Sequence, residues 1–242
     1  MVDRVGLLSD TLILYDRSGT NKTFCVEDSV LACTNMLLDA RQHLQKKGYQ
    51  VAFAQGPFVG ACVDRAKPYK ISLKRHDDAS DGTAPFYVSS EAGNDSAYRE
   101  AVLRTLKRAR EAISDYGELP TETLRAEPSI QESLKLIQER NRVRYVLVLC
   151  GDGKIVSAGK QAGQIIGTTI LSTLMTGGLV TVTAHNSSFL NSRAGLIDLE
   201  TGEMLWTNSG ALRVNPASDG LYRGSWSNAL LSDLPSRNAA QH

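Results

Sequence analysis

The chain has 242 residues, 42% hydrophobic and 22% charged, with 27 basic residues against 26 acidic ones and a formal net charge of +1. A chain of this length buries roughly 70% of the surface its unfolded form exposes, so one large or two small domains fold without staples and disorder is excluded. The near-neutral balance supplies no global field for non-specific nucleic-acid or membrane-surface binding, so any such contact must be local.

The first unit reads as strand, helix, strand. Residues 5–15 are rich in Val, Leu and Ile and run into the polar stretch 16–21, the pattern of a buried strand closing at a loop. Asp28 or Ser29 is expected to cap a helix whose apolar positions Val30, Cys33, Leu37, Ala40 and Leu44 step by three and four, leaving Arg41, Gln45 and Lys46 outside the stripe. Gly48 after Lys46-Lys47 stops it, since glycine takes the left-handed cap freely and the lysines oppose the terminal partial charge. Residues 49–53 read as the next strand.

From 56 to 95, Pro57, Pro68, Pro85, several glycines and His76-Asp77-Asp78 break every longer period, so an irregular connection is expected with one strand at 69–73. A helix follows over 96–114, burying Ala101, Leu103, Leu106, Ala109 and Ile113 and carrying Arg99, Arg104, Lys107, Arg108 and Arg110 elsewhere. The next helix has a capping-box start at Ser129 and Glu132 and an inner face of Ile130, Leu134 and Ile137. Residues 145–150 are continuously apolar, which suggests a central strand covered on both faces, ended by Gly151-Asp152-Gly153.

Residues 161–192 contain no Asp, Glu, Lys or Arg. At the chain's average charge density about seven are expected there, so their absence points to a surface hidden from water. Gly159, Gly163 and Gly167 are spaced by four, and 179–184 reads as a strand. Three readings stand side by side: a buried helix followed by a core strand, a small-residue face packed on a neighbouring subunit, or contact with a bilayer. Gln161, Gln164 and the Ser and Thr residues dilute the run below the roughly 20 apolar residues a spanning helix needs. The interface candidates are Gly159, Gly163, Gly167, Ile170 and Leu174. The chain closes on a hairpin, Leu196-Ile197-Asp198-Leu199 and Met204-Leu205-Trp206 around a Gly-containing turn. Beyond Arg213 the tail is rich in Ser, Asn, Pro and Gly, with Trp226, Leu230 and Leu231 as docking residues.

This order resembles the domain shared by the curli-secretion lipoproteins and the amino-terminal domain of TolB. The likeness is carried by the helix end and strand over 44–51, by a helix feeding 144–149, and above all by the hairpin over 194–206, in which a strand runs into Asp198-x-x-Thr201-Gly202-Glu203 and returns to Trp206. It covers about residues 5–55 and 129–210. The resemblance implies a bacterial envelope protein, usually lipid-anchored and facing the periplasm, that binds other proteins or assembles into rings without catalysis. Two departures stand against the family pattern: no lipid-attachment cysteine stands at the start of the chain, and the stretch 56–95 has no counterpart. A chain beginning just past the anchor accounts for the first. By itself, the start leads from Met1 into an apolar run that Asp10 and Asp16 interrupt short of signal-peptide length, so either a cytoplasmic chain or one whose leader Met1 replaces is expected.

Chemistry-bearing residues are few. Cys25, Cys33, Cys62 and Cys150 are too few for a disulfide scaffold and form no zinc spacing. Cys150 before a glycine pair stands where α/β folds present nucleophiles, and with His185 and Asp152 it would make a thiol-hydrolase constellation. A small buried hydrophobe at a strand end is the competing and preferred reading. His76-Asp77-Asp78 offers metal-ligand chemistry without a second cluster, the pattern of a solvated loop. The basic stripe on 99–110 is interleaved with Glu100 and Glu111 and lacks an aromatic platform, so it reads as a solvated helix face. The sequence therefore predicts an α/β fold: a mixed sheet with flanking helices and a closing antiparallel hairpin in one domain over 1–213, an irregular insertion at 56–95, and a C-terminal extension over 214–242. The expected role is non-enzymatic and periplasmic, through contacts with itself or with envelope proteins, with no metal, no cofactor and no nucleic acid. The alternative is a cysteine-dependent hydrolase or transferase using Cys150.

Overall fold

A computed structural model describes residues 4–16, 22–90, 94–113, 124, 127–156 and 188–235. Its organising element is β1 (Arg4–Asp16), a 13-residue strand buried at every position after Arg4. Along its whole length β1 pairs in parallel with β7 (Tyr145–Val156), from Val5 opposite Tyr145 to Asp16 opposite Val156. The other side of β1 is shared. Its first half pairs in parallel with β3 (Gln50–Val59), and its last residues pair antiparallel with β2 (Lys22–Cys25). The sheet therefore forks at β1, with β4 (Tyr69–Ser72) and β5 (Ser80–Gly82) continuing from β2, and β6 (Tyr87–Val88) pairing with β3. On the far side, β8 (Phe189–Asp198) runs antiparallel to β7 and β9 (Met204–Leu212) antiparallel to β8. This is the expected α/β class with a mixed, open sheet and a closing hairpin.

Helices cover both faces, as the alternation of strand side chains requires. Val5, Leu7, Ile13 and Tyr15 of β1, with Leu147 and Leu149 of β7, pack against α1 (Val26–Lys46) through Ala32, Met36, Ala40 and Leu44. Leu8, Val146, Val148 and Ile197 point the other way, onto α2 (Ser96–Ala112) and α3 (Pro128–Asn141). Fully burying one such Leu or Val contributes roughly 1.5–3 kcal/mol, so the two interfaces together dominate cohesion. A third cluster, Leu12, Leu14, Phe24, Val59, Val63, Tyr69 and Ala84, fills the fork. Gly6 is required where it stands, because a Cβ there would lie 2.1 Å from the Phe53 ring carbon Cε1. Among the described residues no helix is long and apolar enough to cross a membrane.

Several local expectations are corrected. Helix α1 starts earlier than Asp28 or Ser29, with Cys25 in the N-cap position. Ser29 lies in the first turn instead, where its hydroxyl donates to Cys25 O (2.6 Å) and accepts from Ile13 N (2.9 Å), pinning the helix to β1. Gly48 stops the helix as expected, at φ +89°. The Ser129–Glu132 capping box is not formed: Pro128 begins α3, so Ser129 is already helical, and its carbonyl accepts from Ser133 Oγ at 2.8 Å. Gly151-Asp152-Gly153 does not end the central strand. β7 continues through it because a Cβ at Gly153 would lie 2.7 Å from Ile13 Cδ1 and 3.0 Å from Phe189 O, so these glycines serve close strand approach rather than a turn. The stretch 56–95 holds more strand than expected: the end of β3, then β4, β5 and β6. Their long-range pairing, not local period, makes them strands.

The C-terminal segment docks on the α1 side through α4 (Ser225–Leu231), in which Trp226, Leu230 and Leu231 are buried. Asp39 of α1 caps this helix from outside, accepting from Gly224 N (2.9 Å) and Ser227 N (3.0 Å). Trp226 Nε1 donates to Ser192 Oγ at 2.9 Å, satisfying the one polar atom of a fully buried ring.

Candidate functional site

The face of the sheet that meets α2 carries charge where a core is expected to be apolar. By strand alternation Asp10 and Asp16 of β1, Cys150, Asp152 and Lys154 of β7, and Arg193 of β8 all project there, and all are buried. Buried charges of this kind persist only when paired. Asp152 accepts from Arg193 Nη1 at 3.0 Å and also from Arg110 of α2. Lys154 Nζ lies 3.0 Å from Asp16 Oδ2.

The pattern sets Arg110 on the solvated basic stripe, but its side chain turns inward, while Arg104 and Lys107 are exposed. Burial works against the Arg110 guanidinium, but the charge of Asp152 and the neighbouring Cys62 and Cys150 sulfurs more than offset it and raise its pKa.

Asp10 occupies the centre of the row. Its carboxylate accepts from Ala61 N (3.0 Å) and Cys62 N (3.1 Å), the backbone just past β3. Desolvation raises its pKa above the ordinary 3.8, the two amides pulling the other way. Cys62, partly exposed in that same loop, packs against the cluster that contains Cys150, and burial pushes its thiol well above the ordinary range. Two free thiols, one on a partly exposed residue and one on a buried residue, thus lie near the buried Asp10 carboxylate.

The hydrolase constellation is not assembled among the described residues. Cys150 stands in mid-strand opposite Asp10 and Arg193, 1% exposed, and Asp152 is held by two arginines rather than orienting a base. His185 lies outside the described residues. The described histidines sit elsewhere, His43 against Leu231 O at 3.1 Å and His76 edge-on to Tyr15. Asp77 closes a turn by accepting from Lys74 N at 3.0 Å, which is the solvated-loop reading of 76–78. The interface candidates Gly159, Gly163, Gly167, Ile170 and Leu174 also lie outside the described residues. The sequence pattern does not single out Asp10, Cys62, Arg110, Lys154 or Arg193 as members of this cluster. One signal was present: charged residues inside strands otherwise made of Val, Leu and Ile need buried partners.

The hairpin motif has a full geometric account. Asp198, 3% exposed, accepts from Arg144 Nε (2.9 Å) and Nη2 (2.7 Å) and from Glu200 N (2.9 Å). Gly202 takes φ +74°, Thr201 Oγ1 accepts from Glu203 N, and Trp206 pairs with Leu196.

No family model and no curated protein matches the chain. Among solved structures, the lipoprotein GNA1162 from Neisseria meningitidis aligns over 96% of this chain and 99% of its own, with 11% identity and a TM-score of 0.29. A likeness at that score assigns neither fold nor function.

Proposed function

We propose that the protein is a non-enzymatic bacterial envelope protein, lipid-anchored and facing the periplasm in its natural form, that acts in assembly or secretion through protein contacts. The observation that carries this reading is the closing hairpin, in which buried Asp198 is held by Arg144 and the Glu200 amide at the head of the Thr201-Gly202-Glu203 turn, and Trp206 returns to pair with Leu196. The hairpin's resemblance to that of the envelope lipoproteins supplies the compartment.

Two experiments test it. Light scattering across a concentration series, with chemical cross-linking to envelope proteins, tests the contacts: a concentration-dependent oligomer or a cross-linked envelope partner is expected, and a chain that is monomeric throughout and cross-links to nothing overturns the contact reading. The same series with Gly163 and Gly167 changed to Leu tests self-contact through those positions. Metabolic labelling with a fatty acid, with the protein expressed from its own gene, tests the anchor: unlabelled protein in the soluble fraction refutes it.

A further inference from the structure

We infer that Cys62 and Cys150 are a redox-active pair, oxidised to an intramolecular disulfide by small-molecule disulfides and reopened by dithiols. Both side chains converge on Asp10. Cys150 is opposite Asp10 in the β1–β7 register, and Cys62 N donates to the Asp10 carboxylate at 3.1 Å. Cys62 also packs against the apolar cluster that contains Cys150, so the two side chains share one face of the sheet beside Asp10. The backbone leading to Cys62 is held in place: Gly60 sits at φ +78° with Phe86 directly against it, and Ala61 N donates to Asp10 at 3.0 Å.

Access differs between the sulfurs, which sets the order of events. Cys62 is partly exposed and Cys150 is 1% exposed, so Cys62 meets the oxidant first. Its thiolate attacks oxidised glutathione, forming a mixed disulfide and releasing one glutathione thiolate. Cys150 then loses its proton and attacks the Cys62 sulfur, expelling the second glutathione. Two cysteines give up two electrons, one glutathione disulfide takes them, and the two thiol protons leave on the two glutathiones. The other two thiols lie apart from this pair: Cys33 donates to Ser9 Oγ at 3.1 Å on the α1 side, and Cys25 lies at the start of α1. Burial raises the Cys62 thiol, so attack speeds up as the solution becomes more alkaline. Once closed, the bond ties the loop after β3 to the central strand and spans the long chain between residues 62 and 150, which raises Tm by roughly several degrees. The inference does not depend on the envelope reading, since the oxidant is a small molecule.

The test treats the purified full chain with oxidised glutathione at pH 7 and pH 9, then measures intact mass and a non-reducing peptide map, with Cys62→Ser and Cys25→Ser as variants. Expected are a mass loss of about 2 Da for the two thiol hydrogens, faster at pH 9, and a peptide linking Cys62 to Cys150. The loss disappears in Cys62→Ser, persists in Cys25→Ser and is reversed by dithiothreitol. Four alkylatable thiols after oxidation, or a link through Cys25 or Cys33, overturns the proposal. The peptide map of the parent decides the matter whether or not the Cys62→Ser variant folds.

Discussion

Arg193 donates to Asp152 Oδ2, the same carboxylate oxygen that Arg110 of α2 holds, so one buried acid oxygen ties β8 and a helix to the central strand. The partners are separated by 41 and 42 residues from Asp152, and neither ion is accessible enough to be screened by water. A buried pair gains little over a well-packed apolar replacement, but breaking it strands a charge. Asp152→Asn removes the acid that Arg110 and Arg193 share and is expected to cost about 3–5 kcal/mol in urea unfolding. Arg110→Met strands none, because Arg193 still neutralises Asp152, and is expected to cost less. Equal losses in the two variants would mean that charge balance is not what the cluster supplies.

Asp10 and Asp198 should respond to pH with opposite signs. Asp10 has its folded pKa raised above 3.8 by burial, so its contribution is fully present below that value and is lost as pH climbs through the raised pKa. For Asp10→Asn, stability relative to the parent is therefore expected to improve steadily as pH rises from about 4 towards 7. Denaturant midpoints for both proteins across that range measure it, and a difference independent of pH would show that Asp10 does not titrate there.

For Asp198, burial alone would raise the pKa, but Arg144 and the Glu200 amide lower it below 3.8. Its contribution is present above 3.8 and is lost as pH falls through the depressed value. Asp198→Asn is expected to cost about 1–3 kcal/mol at pH 7, with the gap to the parent closing in acid. Hydrogen exchange of the Glu200 and Gly202 amides should quicken in the variant; unchanged exchange would place the turn's stability in Gly202 alone.

The pattern of apolar residues made β1, α1, β7 and the hairpin visible, because each buries a face whose period is written locally. Residues 5–15 and 145–150 could be read as strands without knowing that they pair with each other. The fork at β1 could not be read, since sharing one strand edge between β2 and β3 is decided by contacts distant in sequence. Gly151-Asp152-Gly153 has turn composition, and only Ile13 and Phe189, packed against Gly153, with the two arginines on Asp152, make it strand. Arg110 was misplaced for the same reason: α2 is basic on its outer face, and nothing local separates Arg110 from Arg104 or Lys107. The nearness of Cys62 and Cys150 to Asp10 is equally hidden, because the loop after β3 and strand β7 come together only by pairing on either side of β1.

Gly6 and Gly210 make a matched pair of glycine tests. A Cβ at Gly6 would drive into the Phe53 ring at 2.1 Å, whereas nothing among the described residues lies within 4 Å of one at Gly210. Gly6→Ala is expected to cost about 1–3 kcal/mol by overpacking, with part of the loss recovered in the double variant with Phe53→Leu. Gly210→Ala is expected to be close to neutral. If Gly6→Ala were neutral as well, the Phe53 ring would have to possess a second packing position.

Docking of the C-terminal segment depends on Asp39, a buried carboxylate of α1 that accepts from two amides of the turn starting α4. Replacing it by Ala removes both acceptors at once and is expected to cost about 1–2 kcal/mol, the scale of a lost helix cap. Trp226→Ala removes a fully buried ring and orphans the Ser192 hydroxyl, so about 3–5 kcal/mol is expected. Limited proteolysis separates the two modes of failure. If α4 is a latch on a finished core, Asp39→Ala opens protease sites within 214–235 while the remainder of the chain stays resistant. If the segment is part of the core, both variants are cleaved throughout at the rate of global unfolding. Trp226 packs in one cluster with Leu190, Ala194 and Leu196 of β8, which favours the second outcome, with cleavage spread across β7 and β8 as well as the tail.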